Sequence, residues 1–86
     1  MRKRGTKYGI ATCPLCFENG ILVIVQRPNG TLFLLCNECK WAFDDPMKIV
    51  HADDGYCGAD IIETPASLEQ ISAAGWSQHV VHHLNL

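Results

Sequence analysis

Cys13-Pro14-Leu15-Cys16 and Cys36-Asn37-Glu38-Cys39 decide how this chain is read. The two couples are 19 residues apart. Each C-x-x-C turns tightly enough to offer two sulfurs to one ion. A β-hairpin in the intervening stretch would bring the two turns together. Structural Zn²⁺ takes a closed tetrahedral shell of thiolates, with Zn–S near ~2.3 Å. Two couples at this separation therefore point to one structural zinc held by Cys13, Cys16, Cys36 and Cys39. Four protein ligands leave the ion no open position, so it is a poor activator of water. The rival readings are two disulfides, a redox C-x-x-C, or an iron or iron–sulfur site. The redox motif wants a βαβ setting that is missing here, whereas four thiolates also suit iron.

Working outward from the couples, Ile21-Leu22-Val23-Ile24-Val25 is β-branched and apolar and reads as a strand. Arg27-Pro28-Asn29-Gly30 is a turn: Pro presets φ, and Asn-Gly accepts left-handed backbone. Thr31 to Leu35 is the return strand, which delivers Cys36 beside Cys16. The order knuckle, hairpin, knuckle is the layout of a zinc ribbon. Gly20, at the exit of the first knuckle, is read as a positive-φ position. Upstream, residues 1–9 are basic, contain Gly5 and Gly9, and read as a flexible arm, with a short strand over Tyr8 to Thr12.

Downstream, Trp41 and Phe43 alternate and are expected to cap the small core beside the metal. A base-stacking or peptide-docking platform is the alternative. Asp44-Asp45-Pro46 and Ala52-Asp53-Asp54-Gly55 are turns that bracket a strand over Met47 to His51. Another short strand is expected over Asp60 to Glu63. The last third changes period. Thr64-Pro65 and the capping-box pair Ser67 and Gln70 predict a helix over Ala66 to Ala74, with Leu68, Ile71 and Ala74 inward. Gly75 would stop it and Trp76 would fold back. Ser77 to Leu84 reads as a second short helix. The expectation is a small α+β fold: zinc-ribbon β-hairpins with a metal-stapled core plus one or two short C-terminal helices. It forms one domain over 1–86, with the basic arm at 1–9, ribbon and strands at 10–63, and a helical segment at 64–86.

A chain of 86 residues buries little surface and often needs a staple, which the metal supplies. No apolar run reaches the ~18 residues of a membrane span, and the N-terminus does not read as a signal peptide. The cytoplasm is the expected compartment, since thiols there stay reduced and bind metal. Charge is uneven. Arg2, Lys3, Arg4 and Lys7 give residues 1–7 a charge of +4, while residues 8–86 carry three basic and nine acidic side chains, or −6, for a total of −2. Four thiolates and one Zn²⁺ would add a further −2. An acidic body counts against duplex binding, whose affinity comes from neutralising phosphates. It suits a basic protein partner. Asp44, Asp45, Asp53, Asp54, Asp60 and Glu63, offset between 44 and 63 only by Lys48, form the expected partner surface; a solubilising face is the plain alternative. Trp76 is a further partner-binding residue.

Cys57 reads as a small buried hydrophobe rather than a ligand or reactive thiol. His51, alone in an apolar strand, reads as structural. His79, His82 and His83 would share a helical face and read as surface or partner-facing residues rather than a second metal site. The sequence offers no catalytic constellation and no phosphate-binding glycine loop. A monomer is favoured.

Cys36-Asn37-Glu38-Cys39-Lys40-Trp41-Ala42-Phe43-Asp44-Asp45-Pro46, with Thr64-Pro65-Ala66-Ser67 and Ala74-Gly75-Trp76, resembles a group of small stand-alone bacterial zinc-ribbon proteins. These are associated with immunity genes of contact-dependent inhibition and related polymorphic-toxin systems. The resemblance implies a non-catalytic protein that binds one cognate toxin domain, many of which are nucleases with basic clefts, and occludes it. A nucleic-acid- or transcription-associated zinc ribbon, using the basic arm and the aromatics, is the alternative.

Overall fold

The computed structural model describes residues 6–16 and 20–85. Among the described residues, seven strands form one antiparallel sheet, six of them in the order β5-β4-β3-β2-β1-β7. They are β1 (Thr6–Thr12), β2 (Ile21–Gln26), β3 (Leu32–Cys36), β4 (Trp41–Phe43), β5 (Tyr56–Cys57), β6 (Thr64–Pro65) and β7 (His82–Asn85). Off this path, β6 pairs with Val25 and Gln26, taking over the edge of β2 beyond its last pair with β1, Tyr8 with Ile24. The α-helix among the described residues, α1 (Leu68–Ala73), packs on the sheet. Among the described residues no helix is long and apolar enough to cross a membrane.

The hairpin of β2 and β3 is the centre of the molecule. Its register pairs Leu22 with Cys36 and Gln26 with Leu32. The turn closes through Gly30 N–H to the Arg27 carbonyl (2.8 Å) and Arg27 N–H to the Thr31 carbonyl (2.9 Å). Gly30 sits at φ 90°, the left-handed position the Asn-Gly pair predicts. The apolar run of β2 is buried on both faces, as a continuous rather than alternating pattern requires. Leu22, Ile24, Leu34, Cys36 and Phe43 face one core, with Ala66, Ile71 and the partly buried Trp41, Trp76 and Val80 against them. Val23, Val25, Phe33, Leu35 and Ala42 face the other, flanked by Ile21, Tyr56 and Ile61. Gly58 brings the backbone onto this second face: a Cβ there would lie 2.8 Å from Leu35 Cδ1.

Helix α1 has only six residues, too few to be stable by itself. Its ends are tied. Ser67 Oγ accepts from Gln70 N–H (3.1 Å), and Gln70 Oε1 accepts from Ser67 N–H (2.9 Å), the expected capping box. At the other end Gly75 has φ 79°; its N–H donates to Ser72, and Trp76 N–H donates to Ile71. This is a Schellman stop with Trp76 folded back onto the core. Ile71 is fully buried, worth about 1.5–3 kcal/mol. Gln26 and Gln70 exchange side-chain amide hydrogen bonds of 3.0 and 2.8 Å, fastening the helix to β2.

Several expectations fail. Met47 to His51 is not a strand. Pro46–Lys48 is a 3₁₀ turn whose N-cap, Asp45, accepts from Met47 N–H. Pro46 can offer no ladder donor, and Met47 and Val50 are left exposed. His51 is exposed, just before a second 3₁₀ turn at Ala52–Asp54. Asp60 to Glu63 is irregular, and Thr64–Pro65, expected to start the helix, is the strand instead. Leu68 and Ala74 point outward. The second helix is replaced by a 3₁₀ turn at Ser77–His79 followed by β7. Val80 and Val81 are β-branched and favour extended backbone, and Val81 N–H donates to Gly9 on the open edge of β1. Within residues 64–85, helix is thus confined to α1 and that 3₁₀ turn, between the strands β6 and β7. Of the basic arm at 1–9, residues 1–5 lie outside the described residues, while Thr6 to Gly9 belong to β1.

Candidate metal centre

The centre sits where the ends of β1 and β3 converge. Cys13 follows β1 and opens the first knuckle; its N–H donates to the Gly20 carbonyl (2.9 Å). Cys36 is the last residue of β3 and opens the second. Asn37 ties the two knuckles: its side-chain oxygen accepts from Ile21 N–H (2.9 Å), and its own N–H donates to the Ile21 carbonyl (3.1 Å). The chain then leaves through Lys40, which stands at φ 66°. That left-handed turn is what reverses β3 into β4, and it is uncommon for a residue with a Cβ.

The Sγ atoms of Cys13, Cys16, Cys36 and Cys39 all lie within 4.8 Å of one another. Cys13 and Cys39 are 3.7 Å apart, and Cys16 and Cys36 3.5 Å. A regular tetrahedron with Zn–S bonds of ~2.3 Å has edges of about 3.8 Å. The four sulfurs thus fit one zinc ion, and no cysteine among the described residues is in a disulfide. No other group of three or more His, Cys, Asp or Glu among the described residues is placed for a metal. The two sulfurs from each knuckle, if bound, would close the shell and leave no position for water or substrate.

Local hydrogen bonding favours the thiolate form of Cys36. Burial opposes its ionisation, but the N–H groups of Cys39 and Glu38, each 3.4 Å from its Sγ, together with its thiol neighbours, bring it below its usual value. Burial raises Cys13, against the N–H groups of Cys16 and Leu15. Cys16 is raised strongly, first by its hydrogen bond with Cys39 and then by burial and the neighbouring sulfurs. Cys13 and Cys16 thus hold their protons more tightly than a free thiol, and a bound cation would offset that resistance.

Gly20 has a role the sequence did not show. It is not at positive φ; it is buried against the centre, where an added Cβ would lie 2.4 Å from Cys36 Sγ and 3.1 Å from Glu38 Cβ. Glycine is needed for close approach. Trp41 and Phe43 do cap the core next to the second knuckle: Phe43 is fully buried, and Trp41 Nε1 donates to the Ala52 carbonyl (2.8 Å). Gly55 lets that contact form, since a Cβ there would meet Trp41 Nε1 at 2.5 Å.

The six acidic residues of the expected partner surface are spread over three connecting segments. Asp44 and Asp45 follow β4, Asp53 and Asp54 precede β5, and Asp60 and Glu63 lie between β5 and β6. Asp44 accepts from Tyr56 Oη and pairs with Arg27 at 3.5 Å, while Arg27 donates to Tyr56 and stacks over Phe33 with its guanidinium carbon 4.3 Å from the ring centroid. This clasp joins the hairpin tip to the β4–β5 edge; the spacing of the three residues in sequence gave no sign of it. Asp45 is engaged as a cap. Asp53, Asp54 and Asp60 are exposed, and Glu63 is half-buried beside an open groove of about 160 Å³ that Gln26, Pro28, Ile62 and Thr64 also line. Trp76 is half-buried on the helix side of the sheet. Cys57 is exposed on β5, not buried as expected. The i, i+3, i+4 spacing of His79, His82 and His83 loses its meaning because the last two are neighbours on a strand. Comparison with family models, with characterised proteins and with solved structures finds no match for this chain.

Proposed function

We propose that this chain is a non-catalytic zinc-ribbon module that binds a basic protein domain, and that it acts as an immunity protein by covering a toxin's active-site cleft. One structural zinc at Cys13, Cys16, Cys36 and Cys39 holds the two knuckles together. A closed thiolate shell suits support rather than reaction, so the function rests on the surface. The observation that carries the reading is the exposure of Asp53, Asp54 and Asp60 on segments ordered beside a rigid sheet, within a body that is strongly acidic. Loops on a fixed scaffold commonly hold binding residues, and a negative surface steers a positive partner into contact. Asp44 is partly engaged by Arg27, so Asp53 and Asp54 carry more of the available charge.

The test is charge reversal at an exposed turn. A Asp53→Lys, Asp54→Lys double variant should keep zinc content and fold. Its association with a partner recovered by pull-down should slow, and the salt dependence of the on-rate should flatten. An unchanged on-rate and affinity, with the fold verified, would exclude this surface as the interface.

A further inference from the structure

Two sulfur pairs of the metal centre each reach from one knuckle to the other. Cys13 lies 3.7 Å from Cys39, and Cys16 lies 3.5 Å from Cys36. Each pair joins a buried sulfur to a more accessible one: Cys13 and Cys36 are buried, Cys16 is half-buried and Cys39 is exposed. Cys36 is shielded further by the close approach of Gly20 and by two N–H donors. Cys39 is therefore the thiolate that a small solute reaches most readily.

Building on the zinc reading above, we infer that the centre is a peroxide-sensitive clasp, in which hydrogen peroxide entering at Cys39 replaces the metal with two cross-knuckle disulfides, Cys13–Cys39 and Cys16–Cys36. The Cys39 thiolate attacks one peroxide oxygen. The O–O bond breaks, hydroxide leaves, and a sulfenic acid forms. The Cys13 thiolate then attacks the sulfenic sulfur and expels a second hydroxide as the S–S bond forms. Cys16 and Cys36 repeat both steps with a second peroxide. Four thiolates lose four electrons, two peroxides become four hydroxide ions, and Zn²⁺ leaves with its charge unchanged. An S–S bond is ~2.05 Å long, so each pair must close by only about 1.5 Å. The new bonds tie the same two turns that the metal ties, so the hairpin stays shut after the metal is gone. Disulfides inside each C-x-x-C would leave the knuckles unlinked. Cys57 takes no part: it is on β5 and is not a member of the four-sulfur group.

The experiment uses the full chain, purified with its metal, after elemental analysis has shown about one zinc per chain. Hydrogen peroxide is added; zinc release is followed with a chromogenic chelator, remaining thiols by titration, disulfides by peptide mapping, and the sheet by circular dichroism. The expected result is loss of the four cluster thiols in step with the zinc, peptides joined through Cys13–Cys39 and Cys16–Cys36, and a retained β signal. A Cys57→Ser variant should behave the same. Disulfides within a knuckle, links to Cys57, or metal and cluster thiols that survive peroxide sufficient to oxidise Cys57 would each overturn the inference. Protein that carries no metal at the outset overturns the zinc reading and this inference with it, whereas loaded protein that resists peroxide overturns the inference alone.

Discussion

Gly20→Ala separates the metal's contribution from that of the backbone. The new Cβ would sit 2.4 Å from Cys36 Sγ, and a carbon–sulfur contact needs roughly 3.7 Å. Something must therefore move by more than an ångström. In metal-free protein the Cys36 side chain can rotate aside at modest expense. With metal bound it cannot, because the sulfur is held by the ion and by the N–H groups of Glu38 and Cys39. The strain falls on the loaded state. Overpacking a tight site costs about 1–3 kcal/mol, which corresponds to a roughly 5–150-fold loss of zinc affinity, spanning the ~10–100-fold seen when groups supporting a metal ligand are changed. The control is Gly30→Ala. Gly30 has φ 90° and nothing within 4 Å of its missing Cβ, so that change costs about 1–2 kcal/mol of backbone energy and leaves the metal affinity alone. Competition against a chelator of known affinity reads the first effect, and thermal unfolding at saturating zinc reads the second. Equal zinc affinity in the Gly20→Ala and unsubstituted proteins would refute the argument that Cys36 is a ligand pinned against Gly20.

The remaining predictions concern the same framework. Chelation, or Cys36→Ser, should destabilise the ribbon and lower its melting temperature, because a structural ion supplies folding free energy; elemental analysis and thermal unfolding followed by circular dichroism check this. Zinc affinity should fall as pH falls, since binding requires four thiolates and protons compete for them, most strongly at Cys16, whose thiol is raised; a chelator competition series from pH 8 to about 6 reads the slope. Lys40→Gly should raise stability by up to about 1 kcal/mol, because Lys40 occupies a left-handed backbone position that glycine accepts freely; a lower melting temperature would contradict this. Tyr56→Phe should cost about 1 kcal/mol by removing the hydroxyl that joins Arg27 to Asp44. Tyr56 is raised by burial and then by its bond to Asp44, so its contribution is complete below the ordinary tyrosine range and lost as pH rises through the raised value; the difference between the two proteins in denaturant should shrink at high pH.

The two cysteine knuckles and the hairpin between them are legible because their signals are local and redundant. A five-residue apolar run, a Pro-Asn-Gly turn and a returning run leave one register that places Cys36 beside the first couple, and the observed pairing of Leu22 with Cys36 is that register. The capping box at Ser67 and Gln70 and the Gly75 stop were legible for the same reason, since both satisfy backbone groups within one helix. Side-chain clasps such as Arg27–Tyr56–Asp44 and Gln26–Gln70 were not. They join residues from separate segments, and only the finished sheet brings them together.

The C-terminal error shows where local reading stops. Val80, Val81 and Leu84 are spaced as a helix face would be, and nothing within Ser77 to Leu84 argues against it except two β-branched residues. The deciding term lies far upstream, in β1. Once β1 pairs with β2, its other edge presents unpaired donors and acceptors, and an extended segment satisfies them where a short helix would not. Register follows from the same need: Thr6 to Gly9 pair with Asn85 to His82, and Val81 N–H reaches the Gly9 carbonyl. Residues 6–9, which carry part of the basic charge of the expected N-terminal arm, are thereby drawn into the sheet. Lys7 is in β1 and pairs in register with Leu84, so only the charge of Arg2, Lys3 and Arg4 precedes the first strand. The exposed acidic turns at Asp53, Asp54 and Asp60 are the surface on which the proposed basic partner is to be tested.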